Sequence, residues 1–136
     1  MENGELRLKQ QINSNPRRKG EDLEERLLEF AARVGKVVDA LPDTRLGRHI
    51  AGQLVRSGTS PAPNYAEACA AESKKDFIHK LGITLKELRE TSIWLQLIVK
   101  AELLASKRLI VLLDESEQLN NIIGRSLITA KSNRAR

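Results

Sequence analysis

An amide and a carboxylate stand one helical turn apart in Asn64-x-x-Glu67, and Glu87, Glu90 and Thr91 repeat that spacing further along the chain. Side chains three and four residues apart meet on one face of a helix. Two helices carrying such groups could hold a metal between them, as di-iron bundles do, but that chemistry asks for a Glu-x-x-His pair on each of two helices. Neither histidine supplies it: three residues before His49 stands Leu46, and before His79 stands Asp76. A single Asp76-x-x-His79 offers too few ligands for a metal centre. The polar residues therefore read as an interhelical or intersubunit hydrogen-bond network that fixes register, with Gln53 extending it. Arg56 and Arg89 are the expected partners of Glu67 and Glu90, and Trp94, one turn past Glu90, is read as a core or interface anchor.

Covalent catalysis finds no footing. Cys69 sits in Ala68-Cys69-Ala70-Ala71, a setting for tight helix packing rather than for an activated thiolate. Two histidines and scattered serines do not compose a triad, and no Gly-rich phosphate loop exists. The chain is read as non-enzymatic, with no cofactor.

Basic residues give a second chemistry. Arg45, Arg48 and His49 form a small cationic face that can contact phosphate or stand solvated beside Asp43, and the sequence leaves both readings open. Arg56, Arg125 and Lys131 are further candidates for phosphate contacts. Lys74, Lys75 and Lys80 open a helix whose N-terminal dipole disfavours cations, which slightly favours a binding role over ordinary exposure. Net charge is +5, and both chain ends are basic while the middle is balanced. This suits mild attraction to nucleic acid, and equally well suits solubilising tails.

Composition bounds the rest. The 136 residues suffice for one domain, 40% are hydrophobic and only 3% aromatic, so the core is aliphatic and base-stacking on exposed rings is nearly excluded. A lone cysteine excludes an internal disulfide framework. The polar first residues carry no signal peptide, and no apolar run is long enough to span a bilayer, so a cytoplasmic protein without membrane contact is expected.

The elements that must position these groups are helical. Residues 1–21 lack a sustained apolar period and read as a flexible arm with a helical turn near Leu6–Ile12. Asp22 with Glu25 forms a capping box, after which Leu23, Leu27, Phe30, Val34, Val37 and Leu41 make one buried stripe that Pro42 stops. A second helix opens at Asp43 or Thr44 and meets Pro61 and Pro63, which must kink or break it. Ser73 with Asp76 caps the third and longest helix, expected to reach about Leu104, in which Gly82 hints at a close helix–helix approach. A fourth begins near Ser106 and carries Leu109, Leu112, Leu119 and Ile123. The predicted fold is all-α, an antiparallel up-down four-helix bundle over 22–131, with a basic tail at 132–136.

Three signatures inside this frame, Gln53-Leu-x-Arg-Ser57, Asn64-x-x-Glu67 and Lys86-Glu-Leu-Arg-Glu-Thr-x-x-Trp-Leu95, resemble the four-helix-bundle proteins encoded in intervening sequences of bacterial 23S ribosomal RNA genes. The similarity runs from about Asp22 to Lys131. It implies a left-handed up-down bundle that assembles as a homopentamer. More distantly, the chain is similar to the accessory protein of diversity-generating retroelements, which implies nucleic-acid binding and partnership with a reverse transcriptase. Where such proteins carry a Ser-Ile-x-x-Asn-like helical stretch, this chain has Ser60-Pro61-Ala62-Pro63-Asn64, a departure at the middle of helix two. The function expected is a homo-oligomeric scaffold that engages RNA, DNA or a nucleic-acid enzyme. The alternative is a protein-interaction scaffold without nucleic-acid binding.

Overall fold

The aliphatic stripes read along the chain become helices that bury them against one another. A computed structural model describes residues 3–7 and 20–134. Residues 3–7 are a helical turn with exposed side chains, and the rest of the expected N-terminal arm up to residue 19 lies outside the described residues. Five helices follow: α1 (Glu21–Ala40), α2 (Arg45–Thr59), α3 (Pro61–Cys69), α4 (Lys74–Lys100) and α5 (Ser106–Arg134). No strand occurs among the described residues, so the all-helical reading stands.

The helix ends are set by local chemistry. Thr44 caps α2 by accepting from the Gly47 amide at 3.0 Å, and Ser73 caps α4 by accepting from the Asp76 amide at 3.1 Å. Leu41, held extended by the following proline, ends α1. The first cap differs from expectation. Gly20 rather than Asp22 occupies the cap position of α1, with φ +79, which places Asp22 inside the first turn. A glycine is needed there twice over, because a Cβ would also stand 2.7 Å from Cys69 Sγ and 2.8 Å from the Tyr65 hydroxyl.

The long helix stops at Lys100, short of the expected Leu104. Glu102 turns into the left-handed region at φ 56, and the Leu103 amide donates back to the Ile98 carbonyl while the Glu102 amide donates to Val99. This is a Schellman closure with a glutamate where glycine is the unstrained residue. At the other end of the chain, α5 continues to Arg134, beyond the expected boundary at 131.

Ser60 interrupts the proline-bearing helix. Its own backbone is helical (φ −72, ψ −36), its amide donates to Arg56 and its carbonyl accepts from Asn64. Pro61 then enters as the first residue of α3, where its missing donor costs no intrahelical bond. Pro61 and Ala62 are both buried, so the interruption lies against the core.

That core joins Leu27, Phe30 and Val34 of α1, Ile50 and Leu54 of α2, Leu81, Leu88, Leu95 and Ile98 of α4, and Leu109, Leu119 and Ile123 of α5, all nearly or fully inaccessible. Each contributes about 1.5–3 kcal/mol by leaving water. Contacts between α4 and the α2–α3 pair run in opposite chain order, from Lys80 with Glu67 to Thr91 with Ser57, so the directions oppose. Phe77 shares a groove with Arg125 and Thr129 whereas Ser92 meets Ser116, which gives α4 and α5 the same opposed sense.

Close approach is arranged by small residues, though not by the one expected. Space around Gly82 is open, so it marks no helix contact. Gly58 does: a Cβ there would lie 2.6 Å from Val34 Cγ1, which puts α1 and α2 in backbone-to-side-chain contact. Buried hydroxyls serve the same end. Thr91 Oγ1 donates to Ser57 Oγ at 3.0 Å, and Ser92 is hydrogen-bonded to both Ser116 and Asn120 in the α4–α5 seam.

Candidate functional site

The expected polar network forms between α2 and α4, with different pairings. The Arg56 guanidinium donates to Glu87 Oε2 at 2.9 Å and to Glu90 Oε2. Glu90 Oε2 also accepts from Trp94 Nε1 at 3.1 Å, and Gln53 Oε1 lies 3.5 Å from Arg56 Nη2. Desolvation works against the Arg56 charge, but the hydrogen bonds and charges of Glu87 and Glu90 outweigh it and raise its pKa further. The Trp94 ring meets His49 edge-on, with centroids 5.9 Å apart and planes at 78°. Gln53, Arg56, Glu87, Glu90, Trp94 and His49 thus form one continuous face.

Asn64 and Glu67 do not join it. The Asn64 amide donates to the carbonyl and hydroxyl of Ser60, one turn back, and so steadies the proline junction. Glu67 accepts from Lys80 at 2.9 Å rather than from Arg56. The break at Ser60 separates α2 from α3, and with it the two halves of the polar seam. Arg89 is exposed and makes no ion pair among the described residues. Trp94 is only partly buried and packs against the intrachain core, with its N–H already committed to Glu90.

Arg56, another candidate for phosphate, already has two carboxylates beside its guanidinium. The remaining cationic candidates separate. Arg45, Arg48 and His49 are exposed at the start of α2, where Arg48 pairs at 2.8 Å with a largely solvated Asp43. Arg125 and Lys131 lie towards the far end of α5, and Arg125 lines a groove there with Tyr65 and Phe77. They cannot act with Arg45 and Arg48 as one patch within a single chain.

Arg45 and Arg48 share their end of the molecule with cations of three other helices. The α1–α2 and α4–α5 connections fall at one end of the molecule, where Arg33 and Lys36 of α1 share a pocket with Leu104 and Arg108. Lys100 and Lys107 flank the α4–α5 connection. Asp39, Asp43 and Glu102 are the acids of that end. Sequence reasoning missed Arg33, Lys36 and Arg108, which are scattered among ordinary charged positions, and nothing in local spacing joins α1 to α5. It also missed the fork of Arg26 on Glu115 (2.9 and 2.7 Å) and Gln118 (2.8 Å), which ties α1 to α5.

Among the described residues, no group of three or more His, Cys, Asp or Glu side chains is placed to hold a metal ion. No helix among them is long and apolar enough to cross a membrane.

Comparison with known proteins accords with this architecture. No curated protein matches the chain. A crystal structure from Bacteroides thetaiotaomicron VPI-5482, described as a protein of unknown function from the S23 ribosomal protein family, is similar at 33% identity with a TM-score of 0.71. The similarity covers 76% of this chain and 96% of that one. The family model for 23S rRNA-intervening sequence proteins matches residues 22–125, from the first turn of α1 to the far half of α5. The chain belongs to the 23S rRNA-intervening sequence protein family.

Proposed function

We propose that the protein is a non-enzymatic homo-oligomer, pentameric as the family resemblance implies, which engages RNA or DNA through the basic end that carries the α1–α2 and α4–α5 connections. The observation that carries this reading is that Arg33, Lys36 and Arg108 line one pocket at the end that also carries Arg45, Arg48 and Lys107. Phosphate backbones reward such clustering by counterion release, without any base-reading device. The scarcity of aromatics fits backbone contact rather than base stacking. Several copies of one modest cationic end, held in a ring, turn weak contacts into useful avidity.

Self-association is supported by apolar side chains left in water. Ile110 and Ile128 are 59% and 68% exposed, and their spacing along α5 returns them to the same helix face. Ile93 of α4 is 60% exposed. These residues, rather than Trp94, are the subunit contacts we propose. They also favour the second reading, a scaffold whose partner is another protein.

One sample tests both points. Labelled single-stranded RNA is titrated with the protein at low and at physiological salt, and light scattering gives the mass. An oligomer whose affinity falls steeply with salt is expected. An oligomer that ignores RNA and DNA at both salts sinks the nucleic-acid reading and leaves the protein scaffold, whereas a monomer sinks the assembly. Ile110→Glu with Ile128→Glu should bring the mass down to a single chain.

A further inference from the structure

Within the basic end, one cavity has the form of a binding site. It measures about 290 Å³ and lies between the last turns of α1 and the start of α5, with Arg33, Lys36 and Arg108 at its edge and Val37, Leu104, Leu109 and Leu112 as its apolar wall. None of the three cations forms an ion pair among the described residues. Glu29, one turn before Arg33, and Asp39, three residues after Lys36, are both exposed and pair with neither. The contrast with Arg26 and Arg56 is sharp, since each of those is matched to a largely buried carboxylate of another helix.

Like charges gathered around one cavity repel, and the arrangement is further opposed by the helix dipole. The first turn of α5 contains no acid, although acids are favoured there, and contains Lys107 and Arg108 instead. A bound anion eases both conflicts, because it neutralises the cations and lies beside the first two turns of α5. Two guanidinium forks and an ammonium approaching from two helices suit an anion with several oxygens, which a phosphate provides and a lone carboxylate matches less well. The apolar wall offers a surface for whatever the phosphate is esterified to.

We infer that the pocket between Arg33, Lys36 and Arg108 binds the phosphate group of a phosphate ester. The phosphate comes from a nucleic-acid backbone or from a free phosphorylated small molecule. The first source rests on the nucleic-acid reading above, and the pocket's affinity for phosphate does not.

The experiment separates the two. The full chain, labelled with nitrogen-15, is titrated with inorganic pyrophosphate, and the same sample is then challenged with short single-stranded RNA. Saturable shifts confined to the amides of residues 33–37 and 104–112 are expected. Binding should weaken at least tenfold in the Arg33→Gln/Arg108→Gln variant and stay unchanged in Arg89→Gln, an exposed cation on α4. If RNA displaces pyrophosphate and loses affinity in the same double variant, the pocket holds a backbone phosphate. If pyrophosphate saturates the pocket and RNA fails to displace it, the pocket stands with a free phosphorylated ligand as its occupant. Shifts that never saturate, or a double variant that binds pyrophosphate as tightly as the parent, overturn the inference even where RNA binds elsewhere.

Discussion

The face shared by α2 and α4 and the end that carries the interhelical connections hold similar side chains in opposite circumstances. On the face, Arg56 meets Glu87 and Glu90, the second carboxylate also takes the Trp94 N–H, and the ring of Trp94 is covered by His49. Every charge there has a partner within the chain. At the end, Arg33, Lys36 and Arg108 line a cavity with no carboxylate attached. Internally matched charges fix how two helices register, whereas unmatched ones are available to something outside the fold. The difference separates the residues that build this molecule from those that can serve it, although both groups look alike as letters.

The comparison breaks first if stability and binding cannot be uncoupled. Leu95, fully buried one residue beyond Trp94, should cost about 2–5 kcal/mol when cut to alanine, with the urea midpoint falling and RNA affinity of the folded protein unchanged. An equal loss of affinity would mean that the two regions are one. Gly58→Ala drives a methyl into Val34 and should cost about 1–3 kcal/mol in the same measurement, because the packed α1–α2 contact has no room to yield. Arg45→Glu with Arg48→Glu should reverse that pattern. Unfolding should shift by no more than ~0.5 kcal/mol, as for exposed positions generally. RNA affinity should drop about tenfold, with a shallower dependence on salt. The smallest effects concern single backbone positions and calibrate the larger ones. Gly82→Ala, in open space on α4, should stabilise by up to about 1 kcal/mol. Glu102→Gly should add ~1 kcal/mol by relieving the left-handed backbone. Thermal melts read both.

Much of the scaffold was legible one residue at a time. Thr44, Ser73 and Pro42 mark helix ends through hydrogen bonds and ring geometry that act within four residues, and the stripe through Leu27, Phe30 and Val34 needs only the helical period. Where a local device had rivals, the outcome differed. Asp22 with Glu25 has the letters of a capping box, but Gly20 can enter the left-handed region and slip under Tyr65 and Cys69, so the helix starts earlier. Gly82 and Gly58 are indistinguishable as glycines on helices, and only the neighbour decides that Gly58 is the contact. Arg56 was correctly linked to the acids of the polar seam in kind, but its partner is Glu87 as well as Glu90, and Glu67 goes to Lys80.

By itself the sequence determined the helical class, most helix starts, the aliphatic core stripes and the departure at Pro61 and Pro63, since each follows from torsional limits or from a periodicity within one segment. Tertiary structure alone decided which charges are neutralised and which stand open. Ion pairing depends on distances between helices that are far apart in the chain, as with Arg26 and Glu115, and a few ångströms separate a matched arginine from a free one. The pocket at Arg33, Lys36 and Arg108 exists for the same reason: α1 and α5 had to fold together before three scattered cations could share one space.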